Sequence, residues 1–359
     1  MALVLERYLQ TGGFTDNEAQ IIIDVSRRLY ALHKQAARTK RIIEFFHVSK
    51  SGGTTFCQLG RLNGCKTESF NITSNCLISY FRFNFYSNEL VMHDHNRSWI
   101  GVHPCREFLN VVIFREPEAR VISHMQNILK EYVKYYTTYN GSFWSAFDPA
   151  SPDQWRALAV PVFDNYVVRS LLGGQMYNMP YGSVNETHLL AAKVITMQFE
   201  VLLSLSPQAR ELTQDIFGLG LGWQFDLRHV HVRATQQRAV HVFTPAVMEA
   251  VRAGRQLDQR LYEFALVLQM LDAITFGVAR ELAGIGVAGV AGVEGTWQRV
   301  PVEGLGTAVI AGGRWFNGIF YANATVAEEA AITAAKAAAW AAAAAAAEAQ
   351  AADGVATTG

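Results

Sequence analysis

The sequence predicts an α/β fold, a central and mainly parallel sheet with flanking helices, and three observations predict it. Ile42 to Val48 is an apolar run rich in β-branched and aromatic residues that stops at Ser49-Lys50-Ser51-Gly52-Gly53-Thr54-Thr55. Phe108 to Phe114 is a second such run, and it stops at Arg115-Glu116-Pro117-Glu118. Residues of helical period follow each of them, and strand, turn and helix repeated in that order belong to a sheet covered on its faces.

The first junction reads as an anion cradle. Gly52 and Gly53 permit a tight turn and a close approach of backbone N–H groups, Thr54 and Thr55 open a helix at the end that favours negative charge, and Lys50 adds a formal charge. Lys50 precedes the glycines, whereas the P-loop of nucleoside-triphosphate enzymes places its lysine after them, which argues against an ATPase. At the second junction Pro117 suits the first helical turn, Glu116 and Glu118 suit the positive end of its dipole, and Arg120 is spaced to pair back to Glu116. Arg115 offers a bidentate fork for a phosphate and Ser123 a hydroxyl in the following helix, both near the carboxyl edge of the sheet, where such folds bind ligands.

The remaining elements follow in order. Residues 17 to 38 have the spacing of an amphipathic helix, and Thr54 to Leu62 that of a crossover helix closed by Asn63-Gly64. Lys66 to Arg97 is polar and aromatic and suits an irregular cleft wall; it contains His93-Asp94-His95, whose two imidazoles point the same way in an extended chain. Imidazole is the side chain best matched to proton abstraction near neutral pH. Lys130 to Asn140 fits either a lid or a helix with an aromatic core face. Asp153 to Leu172 reads as one helix, Val194 to Glu200 as a third strand, Pro207 as the start of a helix reaching the Gly218 to Gly222 loop, and Leu257 to Ala265 as a helix. Gly284 to Gly313 is rich in glycine and valine with little periodicity, and Ala327 to Ala352 is an alanine tract that buries little. The expected organisation is an N-terminal helical extension over 1–39, a domain over 40–283 and a low-complexity extension over 284–359.

Composition bounds the partners. Of 359 residues half are hydrophobic, enough for a sizeable core, and Lys+Arg and Asp+Glu both number 31, so no basic excess points to nucleic acid. No stretch reaches the ~18 apolar residues of a membrane span, so membrane attachment is expected only through an anchor not visible in this sequence. Sequons at Asn71, Asn96, Asn140, Asn185 and Asn323 lean toward a glycoprotein of the secretory pathway, against chance occurrence of a short motif. Cys57, Cys65, Cys76 and Cys105 are even in number and permit up to two disulfides, or are buried thiols in a reducing compartment. No cysteine and histidine spacing suggests a metal site.

The two junctions together resemble the cofactor motifs of sulfotransferases that use 3′-phosphoadenosine 5′-phosphosulfate (PAPS), in particular the heparan sulfate 2-O- and 6-O-sulfotransferase type. The first motif there is His-x-Pro-Lys-Thr-Gly-Gly-Thr-Ser/Thr, against His47 to Thr55 here, with Ser49 for the proline and Ser51 for the threonine. The second is Arg-Glu/Asp-Pro-x-x-Arg-x-x-Ser, with Arg115, Glu116, Pro117, Arg120 and Ser123 in register. Asp164 to Gly173 is similar to the family's Asn-Tyr-x-x-Arg-x-Leu-x-Gly segment, and the resemblance spans about residues 40 to 280. It implies a P-loop-like sulfotransferase fold that transfers a sulfuryl group from PAPS to a carbohydrate hydroxyl in the Golgi or secretory lumen, without a metal. It further implies 5′-phosphosulfate binding by Lys50, Ser51, Gly52, Gly53, Thr54 and Thr55, 3′-phosphate binding by Arg115 and Ser123, and His93 or His95 as base. Asn165 and Arg169 would face a glycan acceptor. A P-loop-type kinase and a non-catalytic glycan-binding relative are the alternatives.

Overall fold

The structure, a computed structural model, describes residues 15–40, 43–62, 85–89, 91–92, 98–138, 147–205, 213, 216–221, 223, 242–283, 297–302, 306–311, 315–316 and 319–320. Its centre is a four-stranded sheet ordered β2-β1-β3-β4, formed by Ile43–His47 (β1), Phe85–Glu89 (β2), Leu109–Phe114 (β3) and Val201–Ser204 (β4), with every neighbouring pair parallel. Residue alternation divides the core. Phe46, Val48, Val112, Phe114 and Leu202 belong to one apolar cluster, while Ile43, Phe45, Val111, Ile113, Val201 and Leu203 belong to the other.

Helices cover both faces. On one side lie Asp16–Lys40 (α1) and Gly53–Leu62 (α2), whose Ala37, Phe56, Cys57 and Leu59 join the second cluster. On the other lies Pro117–Thr138 (α3), followed by short helices at Pro152–Leu158 (α4), Val160–Phe163 (α5), Tyr166–Leu171 (α6) and Gly173–Tyr177 (α7), then Glu186–Thr196 (α8) and Pro245–Gly254 (α9). The long helix Gln256–Ala283 (α10) serves both sides, with Leu261, Tyr262 and Ala265 in one cluster and Ala273 and Phe276 in the other. By length and hydropathy alone Gln256–Val278 could cross a membrane, though it places Leu261, Tyr262, Ala265, Ala273 and Phe276 in the core and leaves Val267 and Met270 exposed.

Several elements differ from expectation. The helix read over Asp153 to Leu172 is broken because Pro161 sits at a helix start and Asn165 takes φ 49°, a left-handed value that ends α5 and resets the axis for α6. Val194 to Glu200 is not a strand: α8 runs to Thr196 and the strand is Val201–Ser204. A capping box at Asn185 and His188 starts α8 firmly enough to carry it through β-branched residues at its end. The Gly218 to Gly222 stretch, expected as a loop, holds most of a π-helical segment, Ile216–Leu221, whose Gly220 carbonyl receives the His33 ring at 2.7 Å. The helix read over residues 17 to 38 is α1, which packs on the domain, and a Lys40–Glu200 ion pair ties its end to the start of β4. Trp297–Val302 and Gly306–Ala311 pair as an antiparallel hairpin (β5, β6), and Trp315–Phe316 with Ile319–Phe320 as a smaller one (β7, β8), in the glycine-rich stretch that showed little period. The alanine tract lies outside the described residues.

Candidate functional site

The strand order creates the site. The chain leaves β1 toward β2 on one side, and β3 then lies on β1's other side, so the turns after β1 and β3 diverge at their shared carboxyl edge, where parallel sheets bind ligands. Both sequence motifs occupy those turns. The Arg115 Nη1 atom donates to the Lys50 carbonyl at 2.9 Å, joining residues 65 positions apart.

The first turn is shaped by its backbone. Lys50 has φ 68° and Gly52 φ 83°, a left-handed pair on either side of Ser51, whose N–H donates to the Val48 carbonyl at 3.1 Å and closes the turn. Lys50 accepts a strained conformation that costs a non-glycine residue roughly 1–2 kcal/mol, which the Arg115 contact to its carbonyl helps to hold. Gly53 is required for space: a Cβ there would lie 1.9 Å from His47 Nε2, because the His47 ring is packed directly under the first turn of α2. No acidic residue stands in that turn, although α1 has two there and α3 and α10 one each. The uncompensated N–H groups and positive dipole end therefore suit an anion. Ser51 is buried with no hydrogen-bond partner for Oγ among the described residues, and Thr54 and Thr55 are half-buried.

The second turn supplies cations. Glu116 accepts from the N–H groups of Glu118 and Ala119 at 2.9 and 2.6 Å and so caps α3. Arg120 does not pair back to Glu116 as expected. It is fully buried, its guanidinium lies 4.1 Å from the Tyr166 ring centroid, and its Nε and Nη2 have no hydrogen-bond partner among the described residues. Burial lowers the pKa of both Arg115 and Arg120, against a raising influence from Glu116 on the first and from Asp258 on the second. Two desolvated guanidiniums beside an open helix terminus make a standing electrostatic demand for negative charge. Ser123 is half-buried on α3, one turn beyond Arg120.

Lys50 Nζ donates to Asn127 Oδ1 at 3.0 Å, and Asn127 shares a face of α3 with Arg120 and His124 at spacings of seven, four and three. Sequence reasoning overlooked His124 and Asn127, although that helical stripe was readable. Glu89, at the carboxyl end of β2, faces His47 at 3.7 Å and was also missed, because β2 is embedded in the polar stretch read as irregular.

Asn165 and Arg169, expected to face an acceptor, are buried and committed elsewhere. Asn165 Oδ1 accepts from the N–H groups of Leu257 and Asp258, capping α10, while the Asp258 carboxylate accepts from those of Val167 and Val168, capping α6. Arg169 pairs with Asp164 and donates to the carbonyls of Asp164, Met176, Met179 and Pro180. Both residues thus join helix ends and backbone carbonyls within the fold.

His93 and His95 lie outside the described residues. The residue before them is fixed: Met92 N–H donates to the Ser170 carbonyl at 2.8 Å, anchoring the chain that leaves β2 to α6. Cys57 is buried and Cys105 half-buried, with no disulfide between them, and Cys65 and Cys76 lie outside the described residues. Of the sequons, Asn185 is described; it is exposed, with its Oδ1 capping α8. No protein-family model matches this chain, and no curated protein is similar to it.

Proposed function

We propose that this protein is a PAPS-dependent sulfotransferase acting on a carbohydrate hydroxyl, with a P-loop-like sulfotransferase fold. The observation that carries the reading is the junction of two phosphate-type turns at one sheet edge, with Arg115 hydrogen-bonded to the backbone of Lys50. One phosphate site suits any nucleotide, whereas two separated sites suit a nucleotide phosphorylated at both ends. The residues present fit such a co-substrate: a crowded glycine turn, an acid-free helix start, the buried Ser51 hydroxyl and desolvated arginines all favour a polyanion.

PAPS would supply the sulfuryl group. Lys50 and the first N–H groups of α2 hold the phosphate oxygen released when its bond to sulfur breaks, with Ser51, Gly52, Gly53, Thr54 and Thr55 forming the cradle. Arg115 and Ser123 bind the 3′-phosphate. His93 or His95 takes the proton of the acceptor hydroxyl as its oxygen bonds to sulfur, so the proton ends on imidazole and adenosine 3′,5′-bisphosphate (PAP) departs. The acceptor is a glycan, and the compartment is the Golgi or secretory lumen, a reading the exposed sequon at Asn185 supports.

Calorimetry with PAP beside ATP-Mg, followed by sulfate transfer from PAPS to a panel of glycans, tests this. PAP binds more tightly than ATP-Mg, and Lys50→Ala or Arg115→Ala each weakens PAP by about ten- to hundredfold, the worth of a charged hydrogen bond. Tighter binding of ATP-Mg would overturn the proposal and favour a kinase. PAP binding with no transfer to any glycan would favour a non-catalytic relative.

A further inference from the structure

Resting on that reading, we propose that His124 is a further member of the anion site, neutral without ligand and taking up a proton when a phosphorylated anion settles against Lys50 and Arg115. The geometry is a row along α3. Arg120 Nη1 lies 3.4 Å from His124 Nδ1. Guanidinium carries only hydrogens, so it donates, and the neutral ring keeps its own proton on Nε2. The ring meets Tyr166 edge-to-face at 5.5 Å between centroids. One turn further along the helix, Asn127 holds the Lys50 ammonium at 3.0 Å.

Among the described residues, the charges that act directly on this imidazole are positive. Arg120 stands on its own helix and Lys50 reaches it from the turn after β1, while Tyr166 of α6 contributes a phenol. Behind them, Asp258 of α10, Tyr177 of α7 and Arg115 act on Arg120, and Glu89 of β2 acts on Tyr166 and Tyr177, so among the described residues these carboxylates act on the neighbours of the imidazole. Burial first, then Arg120 and Lys50, push the imidazole pKa down to about 3. A bisphosphate at the two turns brings negative charge to the same cations, and an opposite charge within a few ångströms moves a pKa by about 1–3 units. Burial persists on binding, so the rise stops short of an ordinary histidine. Protonation at Nδ1 requires Arg120 to give up only its long 3.4 Å contact.

A group that is more basic in the complex makes ligand binding take up protons, and affinity then rises as pH falls. NMR of the imidazole signals in the full chain tests this with PAP as probe. Without PAP, His124 shows no titration from pH 8 to pH 5; with saturating PAP it gains a proton with a midpoint between about pH 5 and 6. Calorimetry in buffers of different ionisation heat should count more protons taken up by the parent protein than by His124→Asn, which keeps an oxygen for Arg120 but does not titrate. The parent-to-variant ratio of PAP affinities grows severalfold between pH 7 and pH 5. Equal proton counts, or an imidazole signal that PAP leaves unmoved, would overturn this inference while leaving the anion site intact. Failure of PAP to bind at all would overturn both.

Discussion

Replacing Gly53 with alanine probes whether the first turn is built as described. The added Cβ would lie 1.9 Å from Nε2, 2.1 Å from Cδ2 and 2.3 Å from Cε1 of His47, where ordinary contact begins at 3.4 Å. The ring must retreat by roughly 1.5 Å, and a well-packed core charges about 1–3 kcal/mol for such an intrusion. Retreat is obstructed because His47 is buried, stacked on Phe45 at 5.4 Å and 20°, and set beside Glu89. The alternative is displacement of the α2 start, which would spoil the cradle. Gly53→Ala should therefore lower the melting temperature by roughly 2–10 °C and weaken PAP. The decisive assay is a double-mutant cycle by urea denaturation. In a His47→Ala background the same glycine change should be nearly neutral, since the obstructing atoms are gone, which gives a coupling energy of about 1 kcal/mol or more. Equal destabilisation in both backgrounds would refute the packing argument.

Two further changes address stability. Asp272 of α10 accepts from Leu202 N–H at 3.2 Å, yet burial pushes its carboxyl up to about 7. An acid made less acidic by folding destabilises the native state when ionised, so this contribution is favourable below the ordinary value of 3.8 and is lost as pH rises from there through 7. The ceiling is about 4 kcal/mol, reduced by partial exposure; Asp272→Asn should gain about 1–2 kcal/mol relative to the parent at pH 8 and nothing at pH 4, and a constant difference across pH denaturation curves would contradict it. Arg169→Met takes away the ion-pair partner of the buried Asp164 carboxylate, which among the described residues keeps only the Asn165 amide and the Gly182 N–H, and removes the arginine's hydrogen bonds to the Asp164 and Met179 carbonyls, so it should cost about 3–5 kcal/mol in urea melts. An unchanged melt with selective loss of glycan transfer would return Arg169 to the acceptor.

The readable parts of the fold were those written in local signals. The apolar runs before Ser49 and Arg115 are strands, and the turns after them lie at the carboxyl edge of the sheet, because strand residues buried on both faces leave continuous apolar runs that polar turns interrupt. Strand β2 was hidden, since Phe85–Glu89 is an edge strand whose sequence FYSNE carries polar residues. The misplaced third strand has a similar cause: Val194-Ile195-Thr196 is as β-prone as Val201–Ser204, and the cap eleven residues earlier decides between them. Asn165 and Arg169 were misplaced because a polar stripe on a helix looks the same whether it meets a ligand or the capped ends of two neighbouring helices.

By itself the sequence determined the α/β class and the two anion-type turns, since glycine placement, capping residues and residue period act over a few positions. Only the tertiary structure decided that these turns adjoin, through the β1–β3 pairing that brings Arg115 to Lys50. It alone decided that Arg120 rests on Tyr166 and reaches His124, and that Arg169 is a buried clamp. Those outcomes depend on which surfaces the packed helices desolvate, and desolvation is set by residues far apart in the chain.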